Sequence, residues 1–232
     1  MFADQILTFL KQLHISAKLS DGVEILNPYK DKITYGLCEQ FYNKYYGDNN
    51  KRQLILGINP GRHGAGLTGI PFTDPIKLEK YCGIPNNLHK KPELSADFIY
   101  QMISAYGGLE QFYDKFHFSA VSPLGFIKDG KNLNYYDIRE LENCLRPFII
   151  QTLTKTLKLG INTSVCYCLG EDKNFKFLTR LNAEQKFFSK IIPLAHPRFI
   201  MQYRRKKVAE YVDQYVRIMK NEESVLSDKS NR

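Results

Sequence analysis

Three short segments set chemically capable side chains beside residues that open the backbone: Asn59-Pro60-Gly61, Ser122-Pro123-Leu124-Gly125 and His196-Pro197-Arg198. A neutral amide such as that of Asn59 orients a water by hydrogen bonding but takes no proton from it at neutral pH. A histidine such as His196 can donate to an oxygen on which negative charge grows, or it can satisfy a purely structural contact. Asp74 is the carboxylate nearest the first segment and a candidate base. Thr73-Asp74-Pro75, however, reads as a helix start with proline in its first turn, and capping is the better account of that carboxylate.

The first segment belongs to "GINPGRHGAGLTGIPFTDP", residues 57–75, which holds five glycines and three prolines in nineteen positions. Two phosphate-binding patterns nearly fit. The spacing from Gly61 to Thr68 is that of a P-loop, but Leu67 stands where the lysine that meets the phosphates must be. Gly64-Ala65-Gly66-Leu67-Thr68-Gly69 matches G-x-G-x-x-G, yet it starts six residues past Ile58, and Ile70-Pro71-Phe72 cannot open the required helix. A nucleotide site built on this loop is therefore disfavoured.

The elements that must position these segments follow from periodicity. Gln53–Ile58 is short, apolar and closed by glycine, as a strand buried on both faces would be. Phe116–Val121, Thr163–Leu169 and Lys190–Ala195 read alike. Residues 2–16 and 35–46 have helical spacing, as does the long run from Ile138 to Leu157, in which Pro147 predicts a kink or break and Gly160 a stop. Strands alternating with helices predict an α/β fold, a three-layer α/β/α sandwich around a four- or five-stranded, mainly parallel sheet. Ligands bind such sheets at the carboxyl ends of their strands, and all three polar segments fall at strand ends. Residues 1–219 read as a single domain and 220–232 as a polar, frayed tail. From Val208 onward, Tyr211, Val212, Tyr215, Val216 and Met219 form an amphipathic stripe.

Composition narrows the function classes. The 232 residues carry 33 Lys and Arg against 24 Asp and Glu, a formal charge of +9, which favours a polyanionic partner such as nucleic acid. Five scattered cysteines without a C-x-x-C pair offer no usual zinc or iron–sulfur spacing. Met1-Phe2-Ala3-Asp4 begins no secretory signal, and no apolar stretch nears the ~20 residues that span a bilayer. The expectation is a cytoplasmic, monomeric, DNA-associated protein with reduced thiols, using no metal and no cofactor.

"GINPGRHGAGLTGIPF" resembles the first motif of the single-strand-selective monofunctional uracil-DNA glycosylases, within the uracil-DNA glycosylase superfamily. "VEILNPYKDKITYGLCEQFYNKYY" resembles the segment before it, "SPLGFIKDGKNL" the family's middle strand and loop, and "LAHPR" its second motif. The similarity runs from about Val23 to about Met219, in the family's order and spacing.

The resemblance implies cleavage of the N-glycosidic bond of a base flipped out of DNA. It makes Asn59 the residue that positions the attacking water and His196 the donor to the uracil O2. Phe72 becomes the ring on which the base stacks, and Gly61 the small residue beside C5. Gly57, Ile58 and Pro60 complete the pocket backbone. The chain departs from the family at Ala120, where an asparagine amide would read the uracil edge. Ser119 or a backbone amide is a candidate substitute, and a hydroxyl there would tolerate uracil, xanthine or hypoxanthine. After His196, Pro197-Arg198-Phe199-Ile200-Met201 falls on the loop that enters the duplex, with Phe199, Ile200 and Met201 as candidate wedges. Arg204, Arg205 and Lys206 follow as phosphate contacts, their charge at a helix N-terminus calling for an anion nearby. No lysine lies inside the motifs to form a Schiff base, so a monofunctional enzyme is expected, with Lys128 and Lys131 the nearest to check. Two rivals stand beside this expectation: a non-catalytic DNA- or nucleotide-binding module on the same fold, and an NTP-binding α/β enzyme.

Overall fold

The run Leu54-Ile55-Leu56 is wholly buried because its strand is central and covered on both faces. The computed structural model describes residues 1–230, with side chains as far as Glu222. In chain order the elements are α1 (Phe2–Lys11), β1 (Val23–Leu26), α2 (Lys32–Tyr45), β2 (Arg52–Gly57), α3 (Ala65–Thr68), α4 (Pro75–Lys80), α5 (Leu94–Tyr106), α6 (Leu109–Lys115) and β3 (Phe116–Ala120). Then come β4 (Gly125–Lys128), β5 (Lys131–Leu133), α7 (Arg139–Leu157), β6 (Ile161–Leu169), α8 (Lys173–Gln185), β7 (Lys190–Leu194), α9 (Pro197–Tyr203) and α10 (Val208–Ser230).

The main sheet is parallel with strand order β3-β2-β6-β7. The register sets Gly57 beside Ala120 and Ile55 beside Phe118. Because side chains alternate along a strand, these four residues share one face, while Leu54, Leu56, His117 and Ser119 share the other. On the first face, Phe112 stacks on Phe118 and Tyr106 meets Phe116 edge-on, bringing in α6 and α5. On the second, Phe2 and Tyr42 pack against His117, bringing in α1 and α2. Pro193 is tolerated in β7 because that strand lies at the sheet edge.

Two features differ from the sequence expectations. A second sheet, antiparallel and ordered β1-β4-β5, was not anticipated. Its β4–β5 hairpin turns at Asp129-Gly130, both at positive φ, the geometry that matches the twist of the flanking strands. Helix α7 passes through Pro147 unbroken. A proline there removes one backbone bond, but Leu141, Leu145, Phe148, Ile149 and Leu153 are buried along the same rod and hold it in place. Helix α10 runs to Ser230, and the last two residues of the expected 220–232 tail lie outside the described residues. Among the described residues no helix is long and apolar enough to cross a membrane.

The start of β2 is anchored by a buried cation. Arg52 is wholly buried; its guanidinium makes two hydrogen bonds to the Asp48 carboxylate and others to the carbonyls of Tyr113 and Asn50. It also lies 4.7 Å from the Tyr46 ring centroid and 5.0 Å from that of Phe2. Replacing it leaves the buried Tyr113 carbonyl without that donor. Arg52→Leu is expected to cost about 1–3 kcal/mol of folding stability, read from the midpoint of urea unfolding. A loss under about 1 kcal/mol would show that the cation is incidental to the fold.

Candidate active site

Since the four strands run parallel, β2, β3 and β7 end on the same side of the sheet. The pairing continues past the strand ends, where Val121 N–H donates to Gly57 O at 3.0 Å and Ser122 N–H to Ile58 O at 3.1 Å. The three polar segments are thereby brought to one edge. Gly57, Ile58, Asn59, Pro60, Gly61, Phe72, Ser119, Ala120 and His196 all line a single cavity of about 90 Å³. By strand alternation the methyl of Ala120 faces the Phe72 side, and the hydroxyl of Ser119 faces the His117 side.

The Asn59 side chain is fixed by backbone from the second sheet. Its Nδ2 donates to Leu133 O at 3.1 Å, and its Oδ1 accepts from Tyr135 N–H at 3.0 Å. One lone pair of Oδ1 remains for a water, which suits an orienting amide and leaves it no capacity as a base.

His196 caps α9, its Nδ1 accepting from Arg198 N–H at 3.1 Å. A backbone N–H can only donate, so the proton of the neutral ring resides on Nε2. Burial, and then the charge of Arg198, hold the imidazole down at about 4. At neutral pH it is thus an uncharged donor through Nε2. The residue before it is pinned by α10, because the Tyr215 hydroxyl donates to Ala195 O.

Phe72 adopts φ +54°, a left-handed conformation that a bulky residue rarely takes. Its ring lies 5.2 Å from Phe118 and 6.4 Å from His196. A Cβ on Gly57 would stand 2.9 Å from the ring, so the glycine at the strand end lets the aromatic close over it. Backbone strain of this kind concentrates at functional sites. Gly61 also lines the cavity, although a side chain there would first meet the Asn132 amide at 3.0 Å.

Asp74 serves as the cap that the sequence indicates, its Oδ1 accepting from Lys77 N–H at 2.8 Å. Its Oδ2 does a second task, accepting from Glu93 N–H at 3.0 Å.

The expected duplex-entering loop is helix α9, and this overturns two of its wedge residues. Ile200 and Met201 are 0% and 8% exposed, on the face packed against α5, so neither can enter DNA. Pro197 is likewise buried at the first helical position. Phe199, 40% exposed, points outward and packs against Tyr203, 61% exposed, with the Arg204 guanidinium 5.3 Å above the Phe199 ring. Among the described residues Arg198, Arg204, Arg205 and Lys206 form no ion pair, whereas Lys207 pairs with Glu210.

Several site residues escaped sequence reasoning. Glu93 and Ser95 line the cavity from the start of α5. The only signal was a carboxylate ahead of an apolar helix, which ordinary dipole placement explains equally well. Asn132 accepts from Arg62 N–H at 3.0 Å and belongs to the hairpin that Asp129-Gly130 signals. His63 and Lys91 approach to 3.2 Å on the outer rim, where burial and then Lys91, Arg62 and His89 depress the imidazole, a crowding of cations that an anion would relieve.

Comparison with known proteins agrees with this geometry. The Uracil DNA glycosylase superfamily profile matches residues 44–220. The crystal structure of wild-type SMUG2 from Pedobacter heparinus is similar, with 47% sequence identity and a TM-score of 0.93 over 96% of this chain and 98% of that one. No curated protein matches. A family profile covering most of the chain, and a solved relative that superimposes along nearly all of it, place this protein in the uracil-DNA glycosylase superfamily.

Proposed function

We propose that the protein is a monofunctional DNA glycosylase that hydrolyses the N-glycosidic bond of a deaminated base, uracil first, flipped out of DNA. The observation that carries this reading is the joint placement of a fixed amide and a neutral imidazole donor in one cavity walled by a strained aromatic. As the bond breaks, the base takes the electron pair and the sugar becomes cationic at C1′. His196 Nε2–H meets the base O2 as it gains charge, and its neutrality keeps the proton in place. A water held by the free lone pair of Asn59 Oδ1 adds to C1′ once the cation has formed, then loses its proton to solvent. The flipped base stacks on Phe72, a contact worth about 1–3 kcal/mol.

No lysine lines the cavity among the described residues, and Lys128 and Lys131 sit on the neighbouring hairpin instead. That supports water rather than an amine as the nucleophile. Arg198, Arg204, Arg205 and Lys206 offer unpaired charge to phosphates, with Phe199 and Tyr203 as exposed apolar surface between them. A second reading, a preference for xanthine or hypoxanthine, is favoured by one observation: Ala120 presents only a methyl where an amide would select uracil.

The test uses end-labelled strands with one uracil, single or opposite G or A, followed by hot alkali to cut abasic sites. Wild type is expected to give alkali-dependent scission that Asn59→Ala lowers at least about tenfold and His196→Ala by roughly 10²–10³. DNA binding without scission on uracil, xanthine or hypoxanthine strands would instead establish the non-catalytic module. The acid limb of excision is expected near pH 4 and not near 6.5, because the active His196 is the neutral form and titrates at about 4. Changing Arg204, Arg205 and Lys206 together to Ala should flatten the plot of log affinity against log salt by about 2–3, each lost phosphate contact removing about 0.7–0.9. An unchanged slope would place the DNA elsewhere.

A further inference from the structure

Glu93 brings a carboxyl to the cavity wall. It enters from the residue preceding α5 and lines the same cavity as Asn59, Phe72 and His196. Its backbone N–H is fixed by Asp74, while among the described residues no donor reaches its side-chain oxygens. Room for it is built into the glycine-rich loop: Gly64 has φ +66°, and a Cβ there would stand 1.9 Å from Glu93 Oε2. A side chain at 64 would be strained at that φ and would require the carboxyl to shift. A partly buried acid that the loop makes space for, and that no donor satisfies, is costly to keep unless a ligand completes it.

The opposite deficit lies in the same cavity. Ala120 brings only a methyl to the Phe72 face, Ser119 turns to the His117 side, and the Asn59 amide is committed to Leu133 and Tyr135. A base stacked on Phe72 therefore lacks the edge contact that an amide would make. A neutral carboxyl carries one donor and one acceptor, the same complement that an amide presents.

We propose that Glu93, as the neutral acid, hydrogen-bonds the edge of the flipped base in place of an amide at position 120. Its O–H donates to the base carbonyl and its C=O accepts from the adjoining ring N–H, the pair found on uracil, hypoxanthine and xanthine. The carboxylate, which only accepts, repels that carbonyl. Burial and then Asp74 push the carboxyl up to about 7, with Arg198 opposing and Asp97 adding to the shift. Lys77 does not neutralise Glu93, since its Nζ is drawn to Asp97 and Asp74. His196 stays uncharged, and the acid form is thus well populated at neutral pH.

This deepens the glycosylase proposal and rests on it, so the test reads binding apart from catalysis. The probe is an oligonucleotide carrying 2′-fluoro-2′-deoxyuridine, which resists cleavage, compared with the same strand carrying a tetrahydrofuran abasic analogue. The affinity ratio of the two strands is measured at pH 6 and 8.5. For wild type the ratio is expected to fall at least about tenfold between those values, as the acid fraction drops from about nine-tenths to a few hundredths. Glu93→Gln, an amide that does not titrate, should abolish the fall and exceed wild type about tenfold at pH 8.5. Glu93→Ala should keep only the part of the preference that stacking on Phe72 and the His196 contact supply, below wild type at pH 6 and unchanged between the two pH values.

Melting temperature gives a readout without DNA. A carboxyl with a raised folded-state value loses stability as pH climbs from its unfolded to its folded range, so Glu93→Gln should gain on wild type between pH 5 and 8.5. It also shows whether each variant is folded. A Glu93→Ala protein that keeps the full wild-type preference at pH 6, a Glu93→Gln protein that behaves as Glu93→Ala does, or a wild type with no preference at either pH would each overturn the proposal. A wild type that binds with the expected pH dependence but excises nothing would overturn the glycosylase assignment and leave the Glu93 contact standing.

Discussion

The Asn59 amide ties the end of the central parallel strand to the antiparallel sheet. Its nitrogen bonds to the backbone of Leu133, at the end of β5, and its oxygen to that of Tyr135 just beyond it, while its own backbone leaves the central parallel strand β2. Because both partners are main-chain groups, the side chain has one orientation, and that orientation leaves a single acceptor facing the cavity. The cost of leaving a buried backbone group unpaired keeps the amide where it is. The role proposed for Asn59 and cohesion between the sheets are consequently served by the same hydrogen bonds.

The glycine-rich loop solves a steric problem instead of cradling phosphate. Gly57 lets the Phe72 ring close on the strand end, and Gly64 admits the Glu93 carboxyl. Phe72 itself is held in a left-handed backbone, a state costing of order 1–3 kcal/mol that persists only when its surroundings over-determine it. Those surroundings are Phe118 on one side and His196 on another. The electrostatics follow from the same enclosure. Burial lowers the histidine, which is uncharged at neutrality, and raises the glutamate to about 7, so that its neutral acid is well populated there.

The parallel sheet was legible in sequence because its strands are apolar runs closed by glycine or proline, and each lies within a few residues of its expected span. The assembly of Asn59, Phe72 and His196 was legible only through motif resemblance, since nothing local ties position 59 to position 196. The second sheet was missed although Asp129-Gly130 is a strong hairpin signal, because strands as short as Lys131–Leu133 carry no periodicity to read. Ile200 and Met201 were misjudged because α9, seven residues long, is too short for its buried face to show as a pattern. Glu93 was invisible for a different reason. Its significance depends on Gly64 and Asp74, nearly thirty and nearly twenty residues away, meeting it in space.

The account stands on the claim that a single nucleobase occupies the cavity between Asn59 and His196. The most direct measurement is a crystal structure of the wild-type protein with a duplex carrying one uncleavable uracil nucleotide. The expected result is a uracil turned out of the helix, stacked on Phe72, with its O2 within hydrogen-bonding distance of His196 Nε2 and its C1′ facing the Asn59 amide. A uracil that stays paired in the duplex while α9 and the basic turn hold the phosphates, or a base seated outside this cavity, would contradict it.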